Sequence, residues 1–294
     1  MLELMLPALV ASLVLVGIHG YLGIHIIARG VIFVDLALAQ VAAAGWAAAN
    51  LGLSIKIHQW TGLPESVTGY AVGVGATLIA AALFSMTRLE HKYIPQEAII
   101  GIVYVVASAV TILLAAQAPQ GSEHIEQLLT GSLLWVTWPT IAKTAAIYVA
   151  IGAVHWALRK RFLTISLHPE EARERQWSIG AWDFLFYGLF GFVVTSSVAI
   201  AGVLVVFSFL VIPSVIAFLF TSSPATLLAI AWGSGTVATL LGLVVSYQWD
   251  LPTGPVVVCA FALVLIAAFV VRSARSSSKV RRSTSNIHGS TSNV

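Results

Sequence analysis

The chain has 294 residues, of which 59% are hydrophobic and 9% are charged, and its mean hydropathy is +0.93. Soluble domains carry about 25% charged residues, and a water-soluble fold needs a charged exterior that this composition cannot supply. The composition therefore predicts an integral membrane protein. The net charge of +3 does not indicate a nucleic-acid partner, because the basic residues are spread over short connections and a tail and form no single basic face.

Runs of roughly 18–25 apolar residues, long enough to cross a bilayer as helices, recur along the chain. We count about nine, and three tight connections, at Ala28–Gly30, Ala201 and Thr221–Pro224, leave eight to ten possible. The predicted fold class is all-α, a polytopic transmembrane helical bundle over residues 1–271. The nine runs lie near Leu4–Ile27, Val31–Leu51, Val67–Met86, Ala98–Ala116, Leu133–Leu158, Trp182–Ile200, Gly202–Phe220, Ala225–Tyr247 and Pro255–Val271.

The basic residues predict the orientation in the membrane. Alternate connections carry Arg29, then Arg88 and Lys92, then the run Arg159–Arg175, and finally the tail. Because cytoplasmic loops are enriched in Lys and Arg, we expect these connections in the cytoplasm, the N-terminus outside and the C-terminus inside. The tail, residues 272–294, is Ser-rich and basic and has little to bury, which predicts disorder.

Ionisable side chains within the runs are candidates for an ion path, because a charge in the bilayer costs energy unless it is paired or hydrated. Asp35 is the strongest case, and an ion pair with Arg29 is its structural alternative. Gln40, five residues on, can point into the same cavity. His19 and His25 lie on the preceding helix, with His25 expected near the depth of Asp35. Carboxylate, imidazole and amide oxygen are ligands that Zn²⁺ or Mn²⁺ accepts. A hydrogen-bonded packing role is the alternative for each histidine.

Three further polar segments stand out. The longest basic connection contains Pro169–Gln176, which predicts a short charged helix because Pro suits a first helical turn. This helix is either a solvated loop element or a docking element for a cytoplasmic partner. On the opposite side, Glu123, His124 and Glu126 form a cluster that can receive a cation from outside or is an ordinary polar loop. His155, beside Trp156, is predicted to lie at the membrane interface.

Five segments, in order along the chain, resemble the permease subunits of zinc/manganese/iron ATP-binding-cassette importers. They cover nearly the whole membrane region, from Leu22 to Val258. Each segment alone is a modest match, but the five together are specific for the family. The segments are LGIHIIARGVIFVDLALAQVAAAG, PQEAIIGIVYVVASA, LLTGSLLWVTW, SLHPEEARERQ, and GVLVVFSFLVIPSVIAFLF together with DLPTGPVVV.

The resemblance implies a homodimeric permease in the plasma (inner) membrane of a bacterium, importing a divalent metal, with zinc or manganese favoured. It implies separate cytoplasmic ATP-binding subunits and an extracytoplasmic metal-binding protein that delivers the ion. The chain itself has no GxxxxGK[ST] phosphate loop, so we expect no enzymatic activity and no permanently bound cofactor in it. The resemblance also makes the docking helix an ATPase contact, formed by His168, Pro169, Glu170, Glu171, Arg173 and Arg175.

One segment departs from the family pattern. The family has D-A-L-S-H in its second block, whereas here Gln40 stands at the histidine, Leu36 at the aspartate, and Asp35 one position earlier. That displacement rotates the carboxylate by about 100° around the helix, so His19 or His25 is expected to compensate. Two alternatives stay open: an ATP-independent carrier or channel, and the same importer scaffold with a non-metal substrate, for which Gln40 is the reason.

Overall fold

The computed structural model describes residues 2–62, 64–87, 94–117, 131 and 133–290. This part of the chain consists of α-helices without a β-strand, which confirms the all-α prediction. A π-helical turn, Ala49–Leu53, joins the second helix to the third, and a 3₁₀ turn, Leu133–Trp135, precedes the sixth. The α-helices are α1 Leu2–Arg29, α2 Val34–Ala48, α3 Ser54–Thr61, α4 Glu65–Thr87, α5 Gln96–Ala115, α6 Trp138–Ala157, α7 Arg159–Leu167, α8 Pro169–Glu174, α9 Ile179–Phe220, α10 Pro224–Gln248 and α11 Thr253–Ser290.

Eight of the described helices are long and apolar enough to cross a membrane: α1, α2 with its π turn, α4, α5, α6, α9, α10 and α11. Helix α9 has 42 residues, about twice the roughly 20 that one crossing needs. Inside it, Gly202 has φ 76° and ψ 162°, a conformation that glycine adopts freely and that a Cβ makes costly. The helix therefore breaks there into a first arm, 179–201, and a second arm, 203–220.

Contacts with α1 establish that the two arms run in opposite directions. Asp183 in the first arm pairs with Arg29, while Ala217 in the second arm packs in one buried cluster with Ile24. In one continuous helix residues 183 and 217 would lie about 50 Å apart at 1.5 Å per residue, yet Ile24 and Arg29 are neighbouring turns of α1. The chain thus reverses at Gly202, so the eight long helices of the described residues provide nine membrane-length segments, within the eight to ten spans expected from the sequence.

One face of the bundle collects the basic ends of several helices. Arg29, the last residue of α1, donates to Ser166 of α7 and to Asp183 near the start of α9. Arg272 of α11 donates to the carbonyl oxygen of Leu219 at the end of α9. We call this end of the bundle the basic face; its assignment to the cytoplasm stays a prediction.

Small residues let the helices approach closely. A Cβ added at Gly45 of α2 would stand 3.0 Å from the Cα of Gly73 in α4, and one at Gly242 of α10 would stand 2.7 Å from the Cα of Val257 in α11. Backbones approach this closely in membrane proteins where small residues face each other. Helix α9 lies at the centre and packs against α1, α2, α4, α6, α10 and α11.

The last helix extends well past its apolar part. Helix α11 continues to Ser290, and the disorder expected for residues 272–294 stays a prediction. No Pro or Gly stands between Val256 and His288, so nothing interrupts the helix that begins within the membrane. The part of α11 suited to crossing a membrane is Thr253–Arg275.

Candidate functional site

Buried polar side chains gather at two levels of the bundle, and α1 contributes to both. The central cluster consists of His19, Asp35, Tyr70, Tyr148, Ser196 and Ser197. The basic-end cluster consists of Tyr21, His25, Arg29, His155, Ser166 and Asp183. His19 and His25 are six residues apart on α1, a rise of about 9 Å, and this separation assigns them to different clusters.

In the central cluster, His19 is held in one tautomer. Its Nδ1 lies 2.8 Å from the carbonyl oxygen of Leu15, and a carbonyl only accepts, so Nδ1 carries the proton. Nε2 lies 3.2 Å from Ser197 Oγ and carries a lone pair in the neutral ring. The hydroxyl of Tyr148 is hydrogen-bonded to the same Ser197, and the rings of His19 and Tyr148 are in T-shaped contact. The lone pair of His19 Nε2 and the hydroxyls of Ser197 and Tyr148 therefore lie next to one another.

Asp35 extends the central cluster from α2. The residue is 1% exposed, and its Oδ1 has no hydrogen-bond partner within the described part of the chain. It lies close enough to Tyr148 for the two side chains to interact electrostatically, and so does Tyr70. A buried carboxylate oxygen without a donor is costly, which makes Asp35 the residue of this cluster that packing alone explains least.

The ion pair predicted as an alternative for Asp35 does not form, because Arg29 pairs with Asp183 instead. Arg29 Nη1 lies 2.6 Å from Asp183 Oδ1, and both side chains are at most 1% exposed. The guanidinium also stacks over the Phe186 ring at 3.9 Å. Sequence reading missed Asp183, although a carboxylate in the first turns of the apolar run DFLFYGLFGF was a visible signal.

Ser166 connects the basic-end cluster to the connection between α6 and α9. Its Oγ accepts a hydrogen bond from Arg29 Nε at 2.8 Å and lies 2.8 Å from His25 Nδ1. Helix α7, which carries Ser166, is anchored by Phe162 and Ile165, both fully buried. The arrangement ties α7 to α1 and, through Arg29 and Asp183, to the first arm of α9.

His155 belongs to this cluster and its side chain faces the interior of the bundle, while its predicted depth at the membrane interface stays a prediction. It is 1% exposed, whereas its neighbour Trp156 is 69% exposed, because successive residues of a helix point about 100° apart. Its ring stacks on Phe162 at 4.4 Å and lies 6.3 Å from the ring of His25. Neither of its ring nitrogens has a hydrogen-bond partner among the described residues.

A cavity of about 410 Å³ opens beside the basic-end cluster. Tyr21 and His25 line it from α1 and His155 lines it from α6. Arg159 and Trp232 complete the wall from α7 and α10, and the remaining lining residues are mostly apolar. The cavity therefore lies between helices at the basic face, next to polar atoms of Tyr21, His25 and His155 that have no hydrogen-bond partner in the described part of the chain.

The short charged helix predicted at Pro169 forms but ends earlier, since α8 covers Pro169–Glu174 where the sequence predicted Pro169–Gln176; its docking role stays a prediction. Gln176 has a positive φ of 54°, which closes the turn after Arg175. Arg173 pairs with Glu170 at 3.2 Å and Arg175 with Glu171 at 2.8 Å, all largely exposed. His168 is exposed and Pro169 is half-buried, while Ala172 is fully buried, so α8 presents its charged side outward.

The predicted metal ligands do not assemble into one group. His19 and Asp35 are in the central cluster, and His25 is in the basic-end cluster. Gln40 is half-buried, and within the described residues no hydrogen bond joins its side chain to either cluster. Among those residues no three His, Cys, Asp or Glu side chains form a metal-ligating group. The outer cluster of Glu123, His124 and Glu126 lies outside the described residues.

Comparison with known proteins identifies the family of the chain. The profile of the ABC 3 transport family matches residues 1–272. The chelated iron transport system membrane protein YfeD of Yersinia pestis is 25% identical over 74% of this chain and 71% of its own length. The manganese transport system membrane protein MntC of Listeria monocytogenes is 24% identical over 90% of this chain and 89% of its own length. The structure of PsaBC from Streptococcus pneumoniae in complex with Fab superposes with a TM-score of 0.72 at 21% identity, over 90% of this chain and 91% of that one.

Proposed function

The chain belongs to the ABC 3 transport family, and we propose that it is the membrane-spanning permease of an ATP-driven importer for a divalent metal ion, with zinc or manganese the favoured cargo. The family match covers residues 1–272, which is nearly the whole helical bundle. Relatives of similar length are named for manganese and chelated iron transport. In this proposal the chain is not an enzyme, and ATP is hydrolysed in separate cytoplasmic subunits.

The assembly and orientation follow from the same proposal. Two copies of the chain form the pore, an extracytoplasmic metal-binding protein delivers the ion, and the complex lies in the inner membrane of a bacterium. The basic face, with Arg29, the α7–α8 segment and Arg272, is the cytoplasmic face, because basic residues are retained on that side. The N-terminus is then outside and the C-terminus inside.

The proposal for the ion path rests on the burial of Asp35 with an unpartnered carboxylate oxygen. A carboxylate buried in a membrane bundle with an unpartnered oxygen marks an ion pathway more often than a structural pair does. The lone pair on His19 Nε2 and the hydroxyl of Tyr148 are the neighbouring donor atoms. Nitrogen and oxygen ligands suit Zn²⁺, and oxygen ligands suit Mn²⁺. A cargo ion passes this cluster with few protein ligands, so that binding stays weak enough for release.

The docking helix and Ser166 support the coupling to ATP hydrolysis. Helix α8, with His168 to Arg175, is the proposed contact with the ATP-binding subunit. Displacement of α8 by that subunit moves α7, and Ser166 passes the movement to Arg29 in α1. Arg29 in turn holds Asp183 in α9, so two central helices respond together. This is the packed, hydrogen-bonded connection that alternating access requires.

The test is metal-resolved uptake by the complete complex in proteoliposomes, comparing Zn²⁺, Mn²⁺ and Fe²⁺ with and without ATP. We expect ATP-dependent uptake of at least one of these ions, and its loss in Asp35→Ala with the complex still assembled. Uptake by the chain without any ATP-binding subunit would instead identify an ATP-independent carrier. Unchanged uptake by Asp35→Ala would remove Asp35 from the ion path.

A second candidate, the same importer scaffold with a cargo other than a bare metal ion, is favoured by three observations. The described residues contain no three-ligand metal group, and an amide at Gln40 replaces the imidazole of the family pattern. A cavity of about 410 Å³ has room for a ligand larger than an ion. Competition of the same uptake assay by chelated metal, against free metal at equal total concentration, separates the two cargoes.

A further inference from the structure

We propose that His25 and His155, with the hydroxyl of Tyr21, form a second, transient cation site beside the cavity at the basic face, suited to a divalent transition metal such as Zn²⁺. The proposal rests on the transport function proposed above, because it assigns this site to the stage at which the ion has left the central cluster. It adds ligands, His155 and Tyr21, that neither composition nor the family pattern indicated.

Three unpartnered polar groups converge at this place. His25 and His155 are each 1% exposed, and both line the cavity together with Tyr21. Within the described part of the chain, His25 Nε2, both nitrogens of His155 and the hydroxyl of Tyr21 have no hydrogen-bond partner. Buried polar atoms are paired in the great majority of cases, so four adjacent exceptions on three side chains indicate a ligand.

The ring geometry fits one shared ion. With Zn–N bonds of about 2.0–2.1 Å, two imidazoles on one ion place their ring centres roughly 5 to 6.5 Å apart as the N–metal–N angle opens from tetrahedral to linear. The centres of His25 and His155 are 6.3 Å apart, at the open end of this range. The Tyr21 ring lies 4.8 Å from His25 and 5.4 Å from His155, and its oxygen supplies the third ligand.

The neighbours of the two histidines orient them as a metal site needs. Ser166 Oγ lies 2.8 Å from His25 Nδ1, and the tautomer that donates from Nδ1 to this hydroxyl leaves a lone pair on Nε2. Metal-ligating histidines are fixed in this way through their other nitrogen. Phe162 stacks on the His155 ring at 4.4 Å and limits its rotation.

The charges around the site make it weak and therefore transient. Arg29 is next to His25, but its charge is balanced by Asp183 at 2.6 Å. Arg159 lines the same cavity and stacks over the exposed Trp156 at 4.4 Å. No carboxylate is among the lining residues described. Binding by neutral ligands near positive charge favours fast release, which an exit site must allow.

The test uses Co²⁺ alone, titrated into the purified permease in nanodiscs and followed by visible absorption. All variants carry Asp35→Asn, which removes the carboxylate of the central cluster. In this background we expect saturable binding that His25→Gln and His155→Gln each weaken at least tenfold. His168→Gln, an exposed histidine of the docking segment, is the matched control and leaves the titration unchanged.

A second measurement distinguishes loss of a ligand from misfolding, because it looks for a new absorption band and not for weaker binding. His155→Cys places a thiolate in the same wall, and a thiolate–Co²⁺ bond gives a charge-transfer band that imidazole does not. We expect this band in His155→Cys and its loss in His25→Gln/His155→Cys. Absence of the band, or equal Co²⁺ affinity in His25→Gln, His155→Gln and the control, overturns the site.

Transport by the unsubstituted complex is measured in parallel, so that the two proposals fail separately. ATP-dependent uptake without histidine-dependent Co²⁺ binding overturns the exit site and leaves the transport function standing. Absence of ATP-dependent uptake of every cation tested overturns the transport function, while the Co²⁺ titration still decides whether the site exists.

Discussion

Each of the two polar clusters in this bundle contains a buried carboxylate, and the two carboxylates differ in whether a basic side chain pairs with them. In the basic-end cluster, Asp183 has a guanidinium 2.6 Å away, and Ser166 and Phe186 surround that guanidinium. In the central cluster, Asp35 is as deeply buried but has no basic partner among the described residues, and its neighbours are hydroxyls and a neutral imidazole. A paired buried charge holds helices together, whereas an unpaired one reduces stability unless a function retains it. Matched substitutions at the two levels test this difference.

The largest effect is expected from breaking the buried ion pair. Arg29→Met leaves Asp183 buried without its counter-charge, so we expect the free energy of unfolding to fall by about 3–5 kcal/mol. Arg29→Met/Asp183→Leu removes both charges and should recover most of that loss. Unfolding of the purified permease in mixed SDS micelles measures both variants, and equal stability of the single and double variants would show that Asp183 has another counter-charge.

A smaller loss is expected at Ser166. Ser166→Ala removes the acceptor of the Arg29 Nε–H and the partner of His25, and hydrogen bonds to a charged group contribute about 1.5–3 kcal/mol. Because Ser166 also connects α7 to α1, the ratio of ions transported to ATP hydrolysed should fall in the reconstituted complex. Ser208→Ala, whose hydroxyl donates to the carbonyl oxygen of Leu204 within its own helix, is the control and should leave that ratio unchanged.

Asp35 is expected to behave in the opposite way to Asp183. Asp35→Asn removes an unpaired charge and keeps the side-chain volume, so stability should change by less than about 1 kcal/mol or rise slightly. ATP-dependent uptake should nevertheless be lost. A fall in stability as large as that of Arg29→Met would falsify the assignment of Asp35 to the ion path and indicate a structural partner.

The smallest effect on stability is expected at the exposed pairs of α8. Glu171→Gln removes the partner of Arg175, and pairs exposed to this extent contribute at most about 0.5 kcal/mol. Glu171→Lys, which reverses the charge, should reduce the amount of ATP-binding subunit that co-purifies. Co-purification at normal stoichiometry in Glu171→Lys would count against α8 as the docking element.

Much of the fold was predictable because bilayer thickness imposes it. Nine apolar runs, the break beside Ala201 and the short charged helix at Pro169 all follow from hydropathy, glycine and proline. The pairings were not predictable, because Arg29 and Asp183 are 154 residues apart in sequence and nothing local selects one carboxylate over another. Asp35 was identifiable as a carboxylate in an apolar run. Its separation from His25 was not, since it depends on how α1 crosses α2 and α6.

His155 illustrates the limit most clearly. Its neighbour Trp156 indicated an interfacial position, but only the side chain of Trp156 is exposed, whereas that of His155 is buried. A helix turns by about 100° per residue, so adjacent residues need not share an environment. Sequence neighbours give the depth of a residue in the membrane, while the direction of its side chain is set by the helices around it.

The reversal at Gly202 also bears on biogenesis. The arms 179–201 and 203–220 are joined by one residue, so no hydrophilic loop lies between them. Because so short a connection cannot be retained apart from its two arms, we expect the arms to enter the bilayer together as a helical hairpin. The turn at Ala201 and Gly202 lies directly against Gly131, which is synthesised earlier. A Cβ at Gly131 would overlap the backbone of Ala201 and Gly202, so we expect a substitution at Gly131 to impair insertion of the hairpin before it affects transport.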